Sequence, residues 1–395
     1  MISTLADLLH PHDPDLLVAA AANSDRLLLR TGQAAAFARL LPWSRLNGLI
    51  TADRILSGAI RPIRKGRDLP IEMMVVRPPG GDRPPVLQVD TLQSLCRQGL
   101  SLAINHIDRL VGDIGLMNAV VERCFRAPVH TNAYVSFNRD SAFVPHWDDH
   151  NVLILQVHGR KHWRCYGQRK PHPVKRPEFE VPRDLGEPEW DGVLEPGDVL
   201  YVPRGDIHFA SVPDGGDSVH LTVTIESPRA GLLARVLGEM CEREPIGRRD
   251  LPALAPAPDR AAWMSDMKAL LHRAVDELDL ERVLDDLDRA REPLPVLSLG
   301  LSRRVSGATR LQPALRRRVD LAARDDGEVT VIAGSKRWRI PPLEARVLTA
   351  ALRHDIVCVD DLISGLAPVP ADAIVEAVAS LATKSLIVLL GEAGP

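Results

Sequence analysis

Short apolar runs broken by Pro and Gly fill residues 131–227, and no other feature limits the fold of this chain so strongly. The runs at 133–137, 152–157, 161–166, 199–202 and 219–225 are enriched in Val, Ile, Leu and aromatic residues. Each is too short for a stable helix but long enough for a strand, and turn residues bound it. Several short strands at such close spacing predict a sandwich or barrel at the centre of the chain.

The flanks read differently. Residues 1–107 alternate short helical patterns with loops, as in the mostly apolar run 34–41. After Leu232 apolar residues return at helical spacing. Trp263, Met267, Leu270 and Leu271 mark one helix, and Leu278, Val283, Leu284 and Leu287 a second, with a Pro-rich hinge at 251–258 ahead of both. Residues 328–390 read as strand, helix (Leu343, Val347, Leu348, Leu352), short helix (360–366), helix (Ile374, Val378, Leu381) and strand (386–390). That order is the order of a winged-helix module. At 395 residues the chain exceeds what one core usually holds. The reading is α+β, with a β-barrel part and its N-terminal helices at 1–230, a helical region at 231–320 and a winged helix at 321–395.

Composition narrows the function classes. With 45% apolar and 26% charged residues, the chain is neither collagen-like nor wholly disordered. A net charge of −3 gives no general attraction to polyanions. The five cysteines are scattered and contain no C-x-x-C pair, so neither a disulfide framework nor a thiolate zinc site is indicated. No basic segment precedes the first apolar residues and no stretch of eighteen apolar residues occurs, so the expectation is a cytoplasmic protein without a membrane span.

The chemistry concentrates in Phe143-Val144-Pro145-His146-Trp147-Asp148-Asp149-His150. Residues i and i+2 of a strand project to one side, so His146 and Asp148 can present an imidazole and a carboxylate to one ion. An isolated His-x-Asp arises often by chance, and a third ligand must come from a distant strand. The segment 195–208 supplies a candidate: a Pro-Gly turn, an apolar strand, a second Pro/Gly turn and then His208. Two histidines and one carboxylate on one face of a metal, with other positions open, form the facial triad of non-heme Fe(II) oxygenases. Open positions admit a chelating cosubstrate such as 2-oxoglutarate and leave room for O2. The spacing of the first pair, the hairpin through Gly159 and the late His208 fits a double-stranded β-helix, a jelly roll. A 2-oxoglutarate enzyme also needs a cation for the far carboxylate. Lys161 begins the strand after the hairpin turn and is one of only seven lysines among 49 basic residues. His150 is read as a neighbouring or exposed group, because the parity of His146 with Asp148 is better. His158, His162 and His220 are read as non-ligands.

The ordered series Asn132-Ala133-Tyr134, His146-Trp147-Asp148-Asp149, the segment 155–164, the segment 196–203 with His208, and Ser218-Val219-His220-Leu221-Thr222 resembles the JmjC/cupin-type ribosomal oxygenases. The similarity runs over roughly residues 27–227. The resemblance implies Fe(II) on His146, Asp148 and His208, 2-oxoglutarate on Lys161, and O2 as co-reactant. It also implies hydroxylation of a side chain in a protein, usually a ribosomal protein, or in a peptide. A helical dimerisation region and a winged helix follow the barrel in that family, so a homodimer is expected. Asn132 is expected to contact the cosubstrate or the surroundings of the metal. Trp147 departs from the pattern, since most relatives carry Tyr, Leu or a similar residue there.

Three other readings use the same residues: a catalytically silent metal-binding cupin scaffold, an N-methyl-lysine demethylase, and a winged-helix DNA-binding regulator. Charge argues against the last. Residues 328–395 hold six bases and eight acids, and the helix that would enter the major groove offers Asp372 and Glu376. Phosphate neutralisation needs several cations there. No direct nucleic-acid binding is expected, and the winged helix is read as a protein contact.

Overall fold

The computed structural model describes residues 2, 4–54, 58–77, 85–137, 143–174, 180–300, 304–316, 321–323 and 327–392. The chain divides into two compact units. One comprises Met1–Ser227, Val296–Pro313 and Val347–Pro395; the other comprises Pro228–Pro295 and Ala314–Arg346.

The first unit opens with α1 (Leu5–Leu9), α2 (Pro14–Asn23), β1 (Leu27–Arg30), α3 (Ala34–Leu40) and α4 (Trp43–Leu49). Next come β2 (Ile60–Arg64), β3 (Arg67–Asp68), the ribbon β4 (Val75–Val76) and β5 (Val86–Leu87), α5 (Val89–Arg97), β6 (Ser101–Ile104) and α6 (Gly112–Phe125). The β-rich segment then forms β7 (Val129–Phe137), β8 (Asn151–His158), β9 (Lys161–Gln168), β10 (Trp190–Leu194), β11 (Asp198–Val202), β12 (Asp206–Ser211) and β13 (Asp217–Ile225).

These strands make two sheets. The larger runs β1-β11-β8-β13-β7-β6-β2-β3 and the smaller β10-β9-β12. His146 adds a single antiparallel bridge to His208 at the edge of the smaller sheet, the rudiment of a fourth strand. From β7 onward the chain passes repeatedly from one sheet to the other, which is the jelly roll expected from the spacing. Residues 1–107 do more than the helices and loops expected of them. β1 pairs with β11 at one edge of the larger sheet, and β6 and β2 extend it beyond β7 at the other.

Alternation along the strands decides which side becomes the site. On β13, Val219, Leu221, Val223 and Ile225 enter the main apolar core, as do Leu153, Leu155 and Val157 of β8 and Ala133 and Val135 of β7. Phe37, Leu46 and Met117 from the helices complete that core. The intervening residues face the smaller sheet: Val152 and Ile154 pack with Trp163, Leu194, Leu200 and Val202, while Tyr134, Ser136, His220 and Thr222 line a cavity. One sheet thus buries an oily face under helices and keeps a polar face inward.

In the second unit α7 (Gly231–Cys241) and α8 (Ala257–Asp276) pack through Leu237, Met240, Cys241, Met267, Leu270 and Ala274, and α9 (Leu280–Arg289) follows. The helices α8 and α9 fall where the periodicity predicts them. Towards the C-terminus the second unit adds β15 (Ala322–Ala323), β16 (Val329–Ala333), β17 (Lys336–Ile340) and the start of α10 (Pro342–Ala351), while β14 (Thr309–Pro313), β18 (Val357–Cys358), α11 (Val359–Gly365), α12 (Ala371–Thr383) and β19 (Ile387–Glu392) belong to the first. Sequence reading missed β14, which pairs with both β18 and β19. The single strand expected near Glu328 is a hairpin, β16 with β17. No helix among the described residues is long and apolar enough to cross a membrane.

Candidate metal centre

His146, Asp148 and His208 each offer one donor atom, and these atoms lie within 4.8 Å of one another. The strand expected around His146 is reduced to one bridge, yet the parity argument survives: Trp147 turns into the core at 4% exposure, and the residues on either side of it face His208. The backbones of His146 and His208 exchange two hydrogen bonds of 3.1 and 2.8 Å, so the two imidazoles start from directly opposed positions. Their ring centroids are 4.5 Å apart. His208 Nε2 stands 3.6 Å from an Asp148 carboxylate oxygen.

Both rings are aimed by the same local device. His146 Nδ1 lies 2.9 Å from the carbonyl oxygen of Val144, and His208 Nδ1 lies 2.9 Å from that of Asp206. A carbonyl only accepts, so each Nδ1 must carry the proton, which makes Nε2 the nitrogen of each ring that can bind a cation. Asp206 is itself held. It is 2% exposed, accepts from Gly167 N–H at 3.0 Å, and accepts from Arg26 Nε and Nη2 at 2.8 and 2.6 Å. Burial pushes the Asp206 carboxyl above its ordinary range, and the Arg26 guanidinium pulls against that. The start of β12, and with it His208, is therefore fixed from a distant part of the chain.

Lys161 sits at the first position of β9, opposite Leu194 of β10. The turn that delivers it needs Gly159, whose φ is +60°; a Cβ there would meet the carbonyl oxygen of Asp217. Gln156, fully buried, braces the turn by donating to the carbonyls of His158 and Gly159 at 2.9 Å and to Ser218 Oγ at 3.0 Å. Lys161 is 2% exposed, and its Nζ donates to Ser136 Oγ at 2.7 Å. Among the described residues no acid pairs with it. Burial alone lowers its pKa from 10.5 to about 7. A buried amine that faces a cavity and pairs with no acid among the described residues has the charge and position to receive an anion.

Lys161 and the three donors line one cavity, with Tyr134, Ser136, His220 and Thr222 as further polar walls and Phe143, Val152, Ile154 and Trp163 as apolar ones. Asn132 lies on the same face of β7 as Tyr134 and Ser136 by alternation but outside that lining; its Oδ1 accepts from His106 N–H at 3.0 Å. The remaining histidines stand apart from the three donors. His150 Nδ1 is 3.3 Å from Asp149, His158 stacks on Trp43 and bonds the Leu41 carbonyl, and His162 bonds Asp191. Sequence reasoning assigned no role in the site to Tyr134, Ser136, Trp163 or Gln156. Strand parity from Asn132 and from Lys161 would have found the first three.

Comparison with known proteins gives similarities to both fold and centre. Residues 113–233 match the JmjC domain. Part of the chain is similar to ribosomal oxygenases. Ribosomal oxygenase 1 of Bos taurus is 39% identical over 135 residues, which is 33% of this chain and 20% of the relative. The bifunctional lysine-specific demethylase and histidyl-hydroxylase NO66 of Aedes aegypti is 30% identical over 215 residues, 49% of this chain and 34% of the relative. The chain thus spans about a third or less of these relatives' own length. Among solved structures, YcfD of Escherichia coli aligns over 96% of this chain and 99% of its own, with a TM-score of 0.56 and 16% identity. A second structure of YcfD, described as a ribosomal oxygenase in complex with cobalt and succinic acid, aligns with a TM-score of 0.54 at 16% identity over 97% of this chain and 99% of its own. At this identity the likeness speaks for the fold.

Proposed function

We propose that this chain is an Fe(II)- and 2-oxoglutarate-dependent oxygenase that hydroxylates an amino-acid side chain in a protein or peptide, with ribosomal proteins as the first substrates to test. The observation that carries the reading is one cavity holding two histidines and one aspartate with convergent donor atoms, and beside them a buried lysine that pairs with no acid among the described residues. Two imidazoles and a carboxylate suit Fe(II) and leave coordination positions open. Iron in that position, with 2-oxoglutarate and O2, supplies the oxidation that converts a substrate C–H to C–OH while 2-oxoglutarate becomes succinate and CO2.

The chain's own residues do the rest. His146 and His208 present Nε2, and Asp148 its carboxylate. Lys161 pairs with the far carboxylate of 2-oxoglutarate and gains a charge partner that burial otherwise denies it. Val152, Ile154 and Trp163 exclude water around the reacting groups. Asn132 contacts the cosubstrate or the surroundings of the metal, a role supported by its place on the cavity-facing side of β7. Purified protein with Fe(II) is expected to convert 2-oxoglutarate to succinate, and His146→Ala and His208→Ala are each expected to abolish this. Turnover persisting in both variants refutes the assignment. Intact-mass spectrometry of ribosomal proteins from cells with and without the enzyme identifies the substrate by a single added oxygen. Formaldehyde release in place of that oxygen marks N-methyl-lysine demethylation instead.

The reading extends to the rest of the chain: a catalytic part at 1–230, a helical dimerisation region at 231–320 and a winged helix at 321–395, in a cytoplasmic protein. Met264, Leu271 and Val275 of α8, spaced along one side, are 46%, 41% and 53% exposed, which favours a homodimer formed through these helices. Asp372 and Glu376 are exposed on α12, which favours a protein contact over DNA. Light scattering tests the dimer, and a salt-dependent mobility shift tests the absence of DNA binding.

A further inference from the structure

The hairpin of β16 and β17 lies in the second unit, and its outer edge is built to be used. Gly334 and Ser335 form its two-residue turn, with Gly334 at a φ of +58°, which a hairpin turn opening on Gly requires. The turn is clamped. Gly334 N–H donates to the Arg289 carbonyl at 2.7 Å and Ser335 N–H to Glu292 Oε1 at 2.6 Å, so the ribbon is fastened to the end of α9.

β17 is the outer strand of its sheet, whose order is β15-β16-β17. Counted from the turn, the pairs that exchange ladder hydrogen bonds are Ala333 with Lys336, Val331 with Trp338 and Val329 with Ile340. Arg337 and Arg339 alternate with these, so their backbone N–H and C=O groups face the open side. Their side chains lie across from Ile332 and Thr330, on the face opposite the buried Val331, Ala333 and Ile340. Both arginines are exposed, and so is Ile332 at 37%. Among the described residues neither guanidinium pairs with an acid. Glu292 stands by the turn, beside Lys336.

A strand edge with open backbone groups accepts a further strand. A second copy of β17 is repelled, because it sets guanidinium against guanidinium. Acids at every second position of an incoming strand meet Arg337 and Arg339 instead, at the ~6.6 Å spacing of residues i and i+2. Its other residues fall beside the half-buried Trp338 and suit apolar side chains. A nucleic-acid backbone fits less well, since the open C=O groups of the two arginines would face its phosphates, acceptor against acceptor. We infer that β17 takes up an extended segment of another protein, acidic at alternate positions, as a fourth strand of this sheet. This rests on reading the C-terminal part as a protein contact and is independent of the oxygenase chemistry.

The full chain is titrated by fluorescence anisotropy with short labelled peptides: alternating Glu and Val, alternating Gln and Val, and the Glu/Val peptide N-methylated along its backbone. Labelled oligouridylate is the fourth probe. The Glu/Val peptide is expected to bind, more weakly as salt is raised, and the other two peptides about tenfold or more less tightly. Arg337→Glu combined with Arg339→Glu is expected to lose the Glu/Val peptide, gain a Lys/Val one and leave 2-oxoglutarate turnover unchanged. A misfolded variant cannot show that exchange. A Glu/Val peptide that does not bind, that binds no better than its Gln or N-methylated counterpart, or that binds the double variant equally well overturns the strand pairing and leaves a protein contact through α12 standing. Oligouridylate binding more tightly than the Glu/Val peptide, and lost in the double variant, overturns the protein-contact reading itself.

Discussion

Replacing Lys161 by Met is expected to make the ligand-free protein more stable, although it removes a hydrogen bond. Folding takes this amine from a pKa of 10.5 to about 7. The unfolded chain therefore binds more protons than the folded one between these two values, and wild-type stability rises with pH across that window. At about 1.4 kcal/mol per pH unit the whole span is worth about 5 kcal/mol, an order-of-magnitude figure. The burden is fully present below pH 7, where the ammonium is buried charged, and it is gone above pH 10.5. Met fills a similar volume with no charge, and the lost bond to Ser136 offsets about 1 kcal/mol of the gain. Urea titrations of metal-free wild type and Lys161→Met at several pH values between 6 and 10 read the difference directly. It is expected to be several kcal/mol in favour of Met at pH 6.5 and to shrink steadily above pH 7. Adding 2-oxoglutarate is expected to stabilise wild type and leave the variant unmoved, because the ligand supplies the missing counter-charge. A variant less stable than wild type at pH 6.5, or a difference that does not change with pH, refutes the claim that this lysine is buried without an acid.

Other perturbations test the supports of the site. Gly159→Ala forces a side chain onto a φ of +60° and drives its Cβ into the carbonyl oxygen of Asp217, so it should cost roughly 3 kcal/mol or more in a urea titration. A fully stable Ala variant would show that the turn before Lys161 is not built this way. Asp206→Ala strands the Arg26 guanidinium and frees Gly167 N–H, for an expected loss of roughly 3–5 kcal/mol. Metal affinity should fall with it, since Asp206 begins the strand that carries His208; unchanged affinity in a folded variant would sever that link.

What could be read from the sequence, and what could not, follows the range of the forces involved. The five strand runs and the helices α8 and α9 announce themselves through local periodicity, because each buries one face and alternates or repeats accordingly. His146, Asp148 and His208 were found by type and spacing, and the fold brings their donors together. Local pattern fails where pairing is decided by a partner far along the chain. β1 is four residues, Leu27–Arg30, with no alternation, and becomes a strand because β11 offers it a free edge. β14 is equally short and ends in Pro313, yet β18 and β19 pair on either side of it. Asn132 shows a finer limit. Its residue type fits a cosubstrate contact, and the backbone N–H of His106 also engages its Oδ1, a pairing that no sequence pattern announces.

The metal centre raises the question of whether a cation must shape its own ligands. In many sites a histidine rotates to its working position only when the ion arrives, but here both rings are already tied through Nδ1 to a carbonyl two residues earlier in the chain. That bond selects the Nδ1–H tautomer and leaves Nε2 as the donor within 4.8 Å of the Asp148 carboxylate. The paired backbone bonds of the His146–His208 bridge hold the two anchors at a fixed separation. The metal-free protein should therefore show both imidazoles in the Nδ1–H form, readable from the 15N shifts of the histidine side chains at a pH where both rings are neutral. Adding Zn(II) should shift the Nε2 resonances and leave the Nδ1 protons in place. If either ring is found as the Nε2–H tautomer before the metal is added, the site is assembled by the ion, and the preorganisation argued from these two carbonyl bonds is wrong.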